Sequence, residues 1–206
     1  MNKIVSKIIR ISITSFCIVV LLILILYFGL WIYTTISIPN ELKEQYNQNI
    51  ELKISNDQYQ LLWFTLTENK NYGFKWQPFF TEFFIRENKN NLDTYISFLI
   101  INSNEKYKKT YRIQNWNIEY GLARYIKKEN DYKKCLNIIF SNGYMGNEIY
   151  GIMNGYEYYY NKNIERASNE ELVSLALLIN SPTRYSIGSN SSKIKIKEIL
   201  ENFEKK

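Results

Sequence analysis

The sequence predicts a mainly α-helical domain behind one N-terminal transmembrane helix. Three observations carry that expectation. No charged residue occurs from Ile11 to Tyr33. Two capping boxes, Ser55 with Gln58 and Ser168 with Glu171, each open an apolar run at helical spacing. Strand-like alternation is brief, confined to Ile50, Leu52 and Ile54 with Glu51 and Lys53 between them.

Taken in order, the run over 11–33 reaches roughly 34 Å at about 1.5 Å per residue, enough to cross a bilayer core with slight tilt. Tyr27, Trp31 and Tyr33 gather near one end, where aromatic rings favour the interface. Lys3, Lys7 and Arg10 precede the run and predict a cytoplasmic segment 1–10, with the rest of the chain periplasmic or extracellular. The run is too long for the apolar core of a cleaved leader, and no small-x-small site follows it, so it reads as an anchor. Pro39 and the polar residues after it make 34–55 a linker with a short strand, and 56–206 the helical domain.

Within that domain Leu61, Leu62 and Thr65 continue the helix opened at Ser55. Phe74, Trp76, Phe79, Phe80, Phe83 and Phe84 form an aromatic cluster that reads as core, with membrane insertion as the less favoured alternative. Leu92 to Ile101 is an apolar run that fits helix or strand equally. Trp116, Leu122, Ala123 and Ile126 mark a helix whose Lys127-Lys128 end suits the macrodipole. Asp131 caps another, carrying Leu136, Ile139 and Phe140. Gly143, Gly146, Gly151 and Gly155 then fall close together in a loop-to-helix passage, where small residues let backbones or a ligand approach. Leu172, Leu175, Ala176 and Ile179 follow Ser168, and Pro182 stops that helix. Ile196, Ile199, Leu200 and Phe203 give a last amphipathic helix.

Composition excludes several chemistries. The chain has no histidine, which removes Ser-His-Asp and Cys-His catalysis, His-ligated zinc and any histidine switch. Its two cysteines, Cys17 and Cys135, lie in an apolar run and a predicted helix, so neither a mutual disulfide nor a zinc cluster is expected. Phosphate-cradling glycine motifs are missing. The net charge is +6, but three of the basic residues precede the apolar run, which leaves a weak case for nucleic acid and a mild one for an anionic membrane or phosphate partner. The 18 tyrosines accompany abundant Asn, Lys and Ile, and read as AT-rich coding bias rather than a sugar-stacking surface. Carboxylates are left as the credible acid–base groups.

The order of parts in the C-terminal half resembles the peptidoglycan glycosyltransferase domain, glycosyltransferase family 51, as in monofunctional transglycosylases. The matching residues are Gly146 with Tyr150-Gly151-Ile152, then Tyr159-Tyr160-Asn161-Lys162, then Glu171 to Leu178, and last Pro182-Thr183-Arg184-Tyr185. The resemblance implies a lysozyme-like, two-lobed helical fold that polymerises lipid II in cell-wall synthesis. It implies as partners the bilayer, lipid II with the growing strand and other wall-synthesis proteins, and no nucleic acid. By the same resemblance Glu68, in Glu68-Asn69-Lys70-Asn71-Tyr72, matches the base of a Glu-Asp-x-x-Phe pattern. Glu119, after Asn115-Trp116, matches the second acid of Arg-Lys-x-x-Glu and would orient the site or assist at the phosphate end. Arg112, Arg124 and Lys127 are cations near Glu119 for the diphosphate, and Tyr150 and Gly151 complete the implied substrate-binding set. A diphosphate leaving group also admits a divalent cation, Mg2+ or Mn2+.

Several polar family positions have changed. Ser97-Phe98 stands where paired glutamines belong, Asn115-Trp116 replaces Arg-Lys, and Asn137 replaces the acid of a Lys-x-x-Ile-Leu-Glu helix motif. A divergent enzyme and an inactive relative that binds lipid-linked glycan or wall-synthesis partners both predict that pattern. A lysozyme-like hydrolase is a weaker third reading, because two carboxylates in a helical cleft also suit glycoside cleavage.

Overall fold

The computed structural model describes residues 2–48, 51–68, 74, 92–108 and 116–205. Among them the chain is mainly helical and contains no strand, only an isolated antiparallel bridge between Tyr144 and Tyr150. Helix α1 (Asn2–Ile36) contains the apolar run, and Arg10–Ile36 is long and apolar enough to cross a membrane. From Ile11 to Tyr33 its side chains are exposed, with Tyr27 half-buried, as expected of a face meant for lipid.

The segment predicted as linker is more ordered than its polarity suggests. Helix α2 (Asn40–Asn47) follows Pro39, and its Leu42 and Tyr46 are both fully buried. Two inward residues one turn apart seat this short helix. The expected strand is not formed by the described residues 51–55. Their polar groups find side chains instead of a ladder: Leu52 N–H donates to Tyr59 Oη (3.1 Å), whose hydroxyl donates to Asn137 Oδ1 (2.7 Å).

Helix α3 (Asn56–Thr67) opens on the predicted capping box, with Gln58 N–H donating to Ser55 Oγ and Ser55 N–H to Gln58 Oε1. The ambiguous run is helix α4 (Leu92–Ser103), followed by the single turn α5 (Glu105–Lys108). Then come α6 (Trp116–Glu129), α7 (Tyr132–Asn142), α8 (Ile152–Tyr160), a 3-10 turn (Ile164–Arg166), α9 (Asn169–Asn180) and α10 (Asn190–Glu204). Asp131 caps α7 as predicted, accepting from Lys134 N–H (3.1 Å). Ser168 and Glu171 close the predicted box on α9, which ends before Pro182.

Two lobes share one central helix. On the side of α1, α4 packs on α6 and α2, and α6 on the end of α1. On the other side, α3, α9 and α10 pack mutually, and α8 lies on α7 and α9. Helix α7 touches both α4 and α3, and its Cys135, Leu136, Ile139 and Phe140 are fully buried. Truncating Phe140 to alanine there costs about 3–5 kcal/mol. Cys135 is a free thiol pushed up to about 12 by burial, and Cys17 is free in α1.

Helices α3 and α9 run parallel and in step. Their N-terminal ends meet where Gln58 Nε2 donates to the Ala167 carbonyl (3.0 Å), and Leu61 and Phe64 then pack with Val173 and Leu177. Helix α10 runs back along them, Phe203 against Phe64 and Lys195 against Glu68. Both carry twelve residues, so their C-terminal ends, Thr67 and Asn180, finish at one end of the bundle.

Of the aromatic cluster, Phe74 is half-buried and packs edge-on against Trp63, with ring centroids 5.5 Å apart. Its N–H donates to Asn130 Oδ1 (2.6 Å). Trp76, Phe79, Phe80, Phe83 and Phe84 lie outside the described residues.

Candidate active site

Glu68 is the C-cap of α3, in the left-handed region (φ +53°), with its N–H donating to the Phe64 carbonyl (2.7 Å). A non-glycine residue in that region costs on the order of 1 kcal/mol and is most often found at tight stops or functional positions. The turn throws the side chain clear of the helix, and 70% of it is exposed. Lys195 Nζ stands 3.4 Å from Glu68 Oε1 and 2.9 Å from Glu198 Oε1. The hydrogen bond to Glu198, reinforced by Glu68, raises the Lys195 ammonium above its ordinary range, so it stays charged. Lys195 is a residue the sequence reading missed. Its position on the polar face of an amphipathic helix gave no signal of a long-range partner.

Glu119 lies in the first turn of α6, where the helix N-terminus favours a carboxylate. It tops the stripe that continues through buried Leu122, Ala123 and Ile126, and is therefore half-buried. Two residues on, Gly121 brings α6 against the end of α1 so closely that a Cβ there would overlap the Thr34 carbonyl oxygen. Thr34 and Ile38 are buried by this contact. Arg124, half-buried, holds its guanidinium 5.7 Å from the Trp31 ring centroid, a cation–π distance. Lys127 is half-buried in the last turn. Arg112, with Asn115 and Tyr72, lies outside the described residues.

Glu68 and Glu119 thus sit on different lobes, one on a helix held by α7, α9 and α10, the other on a helix held by α1, α2 and α4. Phe74 itself links Trp63 of α3 to Asn130 at the α6–α7 junction.

Tyr150 is 58% exposed, opposite Tyr144 on the small hairpin between α7 and α8. Gly151 next to it is buried, caps α8 with φ +83°, and would bring a Cβ 2.7 Å from the Ser141 carbonyl. Only glycine suits that corner. At Gly143 a Cβ would meet the Ile139 carbonyl oxygen at 2.6 Å and at Gly155 the Met145 Sδ, so these two glycines serve close packing.

Where the predicted pattern departs from its family, the structure gives the replacements local partners. Ser97 is fully buried with its Oγ 3.0 Å from the Asp93 carbonyl and 2.9 Å from that of Thr94. Asn137 is taken up by Tyr59 and Leu52. Among the described residues no group of three or more acids or cysteines is placed to hold a metal ion.

No curated protein matches the chain. A sequence model described as transglycosylase matches residues 96–203, which takes in Glu119, the glycine passage and α9 but begins after Glu68. With more than half its length inside that match, and a mainly helical structure behind an apolar N-terminal helix, the chain belongs to the transglycosylase family, whose domain transfers glycosyl groups in cell-wall synthesis.

Proposed function

We propose that this chain is a membrane-anchored peptidoglycan glycosyltransferase that polymerises lipid II outside the cytoplasmic membrane. The N-terminus with Lys3, Lys7 and Arg10 stays in the cytoplasm, and 56–206 forms the catalytic domain. Glu68 takes the proton from the acceptor 4-hydroxyl as that oxygen attacks the anomeric carbon of the lipid-linked donor. The new glycosidic C–O bond forms as the C–O bond to the diphosphate breaks, and the electron pair leaves with the lipid diphosphate. Arg124 and Lys127, with Arg112, neutralise that leaving group, and Glu119 orients them. Tyr150, on the corner shaped by Gly151, borders the sugar.

The observation that carries this reading is the seat of the anchor on α6. Gly121 on Thr34 and Arg124 on Trp31 seat α6 against the C-terminal end of the apolar span, which supports assigning the phosphate to the cations of this helix. A lipid-linked diphosphate lies at that height, because its tail stays in the bilayer. Purified full-length protein is expected to polymerise lipid II, and Glu68→Gln to abolish this. Folded wild-type protein that leaves lipid II unpolymerised ends the catalytic reading.

The buried Ser97 and the engaged Asn137 favour one alternative, a domain that binds lipid-linked glycan or wall-synthesis proteins without turnover. Retention of lipid II by the folded chain with no polymer formed is the outcome it predicts.

A further inference from the structure

The connector between α7 and α8 is built more rigidly than a connector needs to be. Met145 N–H donates to the Ile149 carbonyl, Ile149 N–H to Gly146, and Gly151 N–H to Gly143, each at 2.9 Å. Asn147 and Glu148 take φ of +50° and +61° at the tip, a turn that suits a hairpin but strains Glu148. Behind it the Tyr159 hydroxyl donates to the Met145 carbonyl (2.9 Å), and Met145 itself is fully buried against Gly155.

The front is open. Tyr144 and Tyr150 are direct bridge partners, so their side chains share one face of the hairpin. Their ring centroids lie 5.2 Å apart at 50°, yet the residues stay 40% and 58% exposed. A rigid hairpin that presents two adjacent tyrosine rings to water offers a ready stacking surface.

Their place in the fold says which ligand. The hairpin leans on the C-terminal end of α9: a Cβ on Gly143 would come 3.0 Å from Ile179 Cδ1, and one on Gly146 3.8 Å from Pro182 Cβ. That is the end at which the parallel partner helix α3 terminates in Glu68. The aromatic pair and the proposed base therefore share one end of the bundle.

We propose that Tyr144 and Tyr150 form a stacking subsite for a neutral pyranose of a β-linked N-acetylhexosamine strand, the glycan handled at Glu68. Such a ring carries its substituents equatorially and presents a face of axial C–H bonds, which packs on tyrosine faces, while exposed Asn147 at the rim offers an amide to an acetamido group. The proposal rests on the glycosyltransferase reading for its ligand class, but not on turnover.

The test uses full-length protein in detergent and a soluble N-acetylglucosamine tetramer, with binding followed by calorimetry. Tyr144→Ala and Tyr150→Ala are each expected to weaken binding about tenfold, the loss of one stacked ring, and the phenylalanine variants to bind as wild-type. Melting curves show whether each variant is folded. Glu68→Gln is expected to keep tetramer affinity. A protein that forms no polymer but loses tetramer affinity in the alanine variants sinks the catalytic reading and leaves the subsite standing. Unchanged affinity in folded alanine variants overturns the subsite whatever the turnover. So does a loss confined to liposome binding, which would make the pair a membrane contact.

Discussion

Two glutamates at opposite ends of the α3–α9 pair stand in opposite surroundings. Glu171, at the start of α9, is enclosed: it accepts from Ser168 N–H (2.9 Å), from the Tyr156 hydroxyl (2.7 Å) and from Lys162 Nζ (2.9 Å), with 17% of its side chain exposed. Burial opposes its charge, but those three donors outweigh it and hold the carboxyl at about 2. The same pair raises the Tyr156 hydroxyl above its ordinary range, burial being the largest cause. Glu68, at the end of α3, is turned into solvent by a strained cap and meets one lysine from a distant helix. A carboxylate with both oxygens engaged is architecture. One held out from its helix with capacity to spare is available for chemistry.

The largest expected effect breaks the pair apart. Glu68→Gln is expected to lower lipid II polymerisation by about 10²–10⁴-fold, the range for a lost general base, with its melting temperature little changed. Glu171→Gln is expected to do the reverse, losing stability while each folded molecule stays as active. Equal loss of turnover in both variants would erase the distinction.

Next in size is the joint between the lobes' support and the anchor. Gly121→Val must push α6 from the Thr34 carbonyl, an overpacking expected to cost about 3 kcal/mol and to speed amide exchange along α6. Wild-type exchange rates in that variant would mean the anchor is a loose tether, and would detach Arg124 from the interfacial height assigned to it.

The stability carried by Glu171 has a pH signature. Its folded carboxyl titrates at about 2 against an ordinary 4.5, so the stabilisation is fully present above about pH 4.5 and is lost as the pH falls toward 2. After allowance for solvent screening this is on the order of 2 kcal/mol. Glu171→Gln is expected to remove that much near neutral pH and to flatten the acid limb of the stability curve. A variant with the wild-type acid limb would assign the effect elsewhere.

These contrasts explain what was readable in the sequence. Caps are local: Ser55-Gln58, Asp131 and Ser168-Glu171 each declare a helix within four residues, and each is formed. The α2 helix was hidden because eight mostly polar residues show only Leu42 and Tyr46 as an inward pair. The described residues 51–54 of the expected strand form none, because alternation cannot reveal that Tyr59 and Asn137 would satisfy Leu52 in place of a neighbouring strand. Glu68 and Glu119 were singled out by the resemblance of the residues around them to a family pattern, and their roles are proposals. Lys195, far along the chain and on an ordinary helix face, became visible only through the return of α10.

Lys195 gives the smallest expected change and the finest division between the two glutamates. Its pairs with Glu68 and Glu198 lie at the surface, where such contacts contribute under about 1 kcal/mol, so Lys195→Met is expected to melt within a few degrees of wild-type. If its ammonium orients the Glu68 carboxylate, kcat falls severalfold while KM holds, and arginine at the same position restores part of the loss. Lys162→Met, the corresponding change at Glu171, is expected to leave kcat alone and to lower stability, because that carboxylate has no reaction to orient for. Identical behaviour of the two lysine variants would show that proximity to a carboxylate, rather than the exposure of the carboxylate, sets what these cations do.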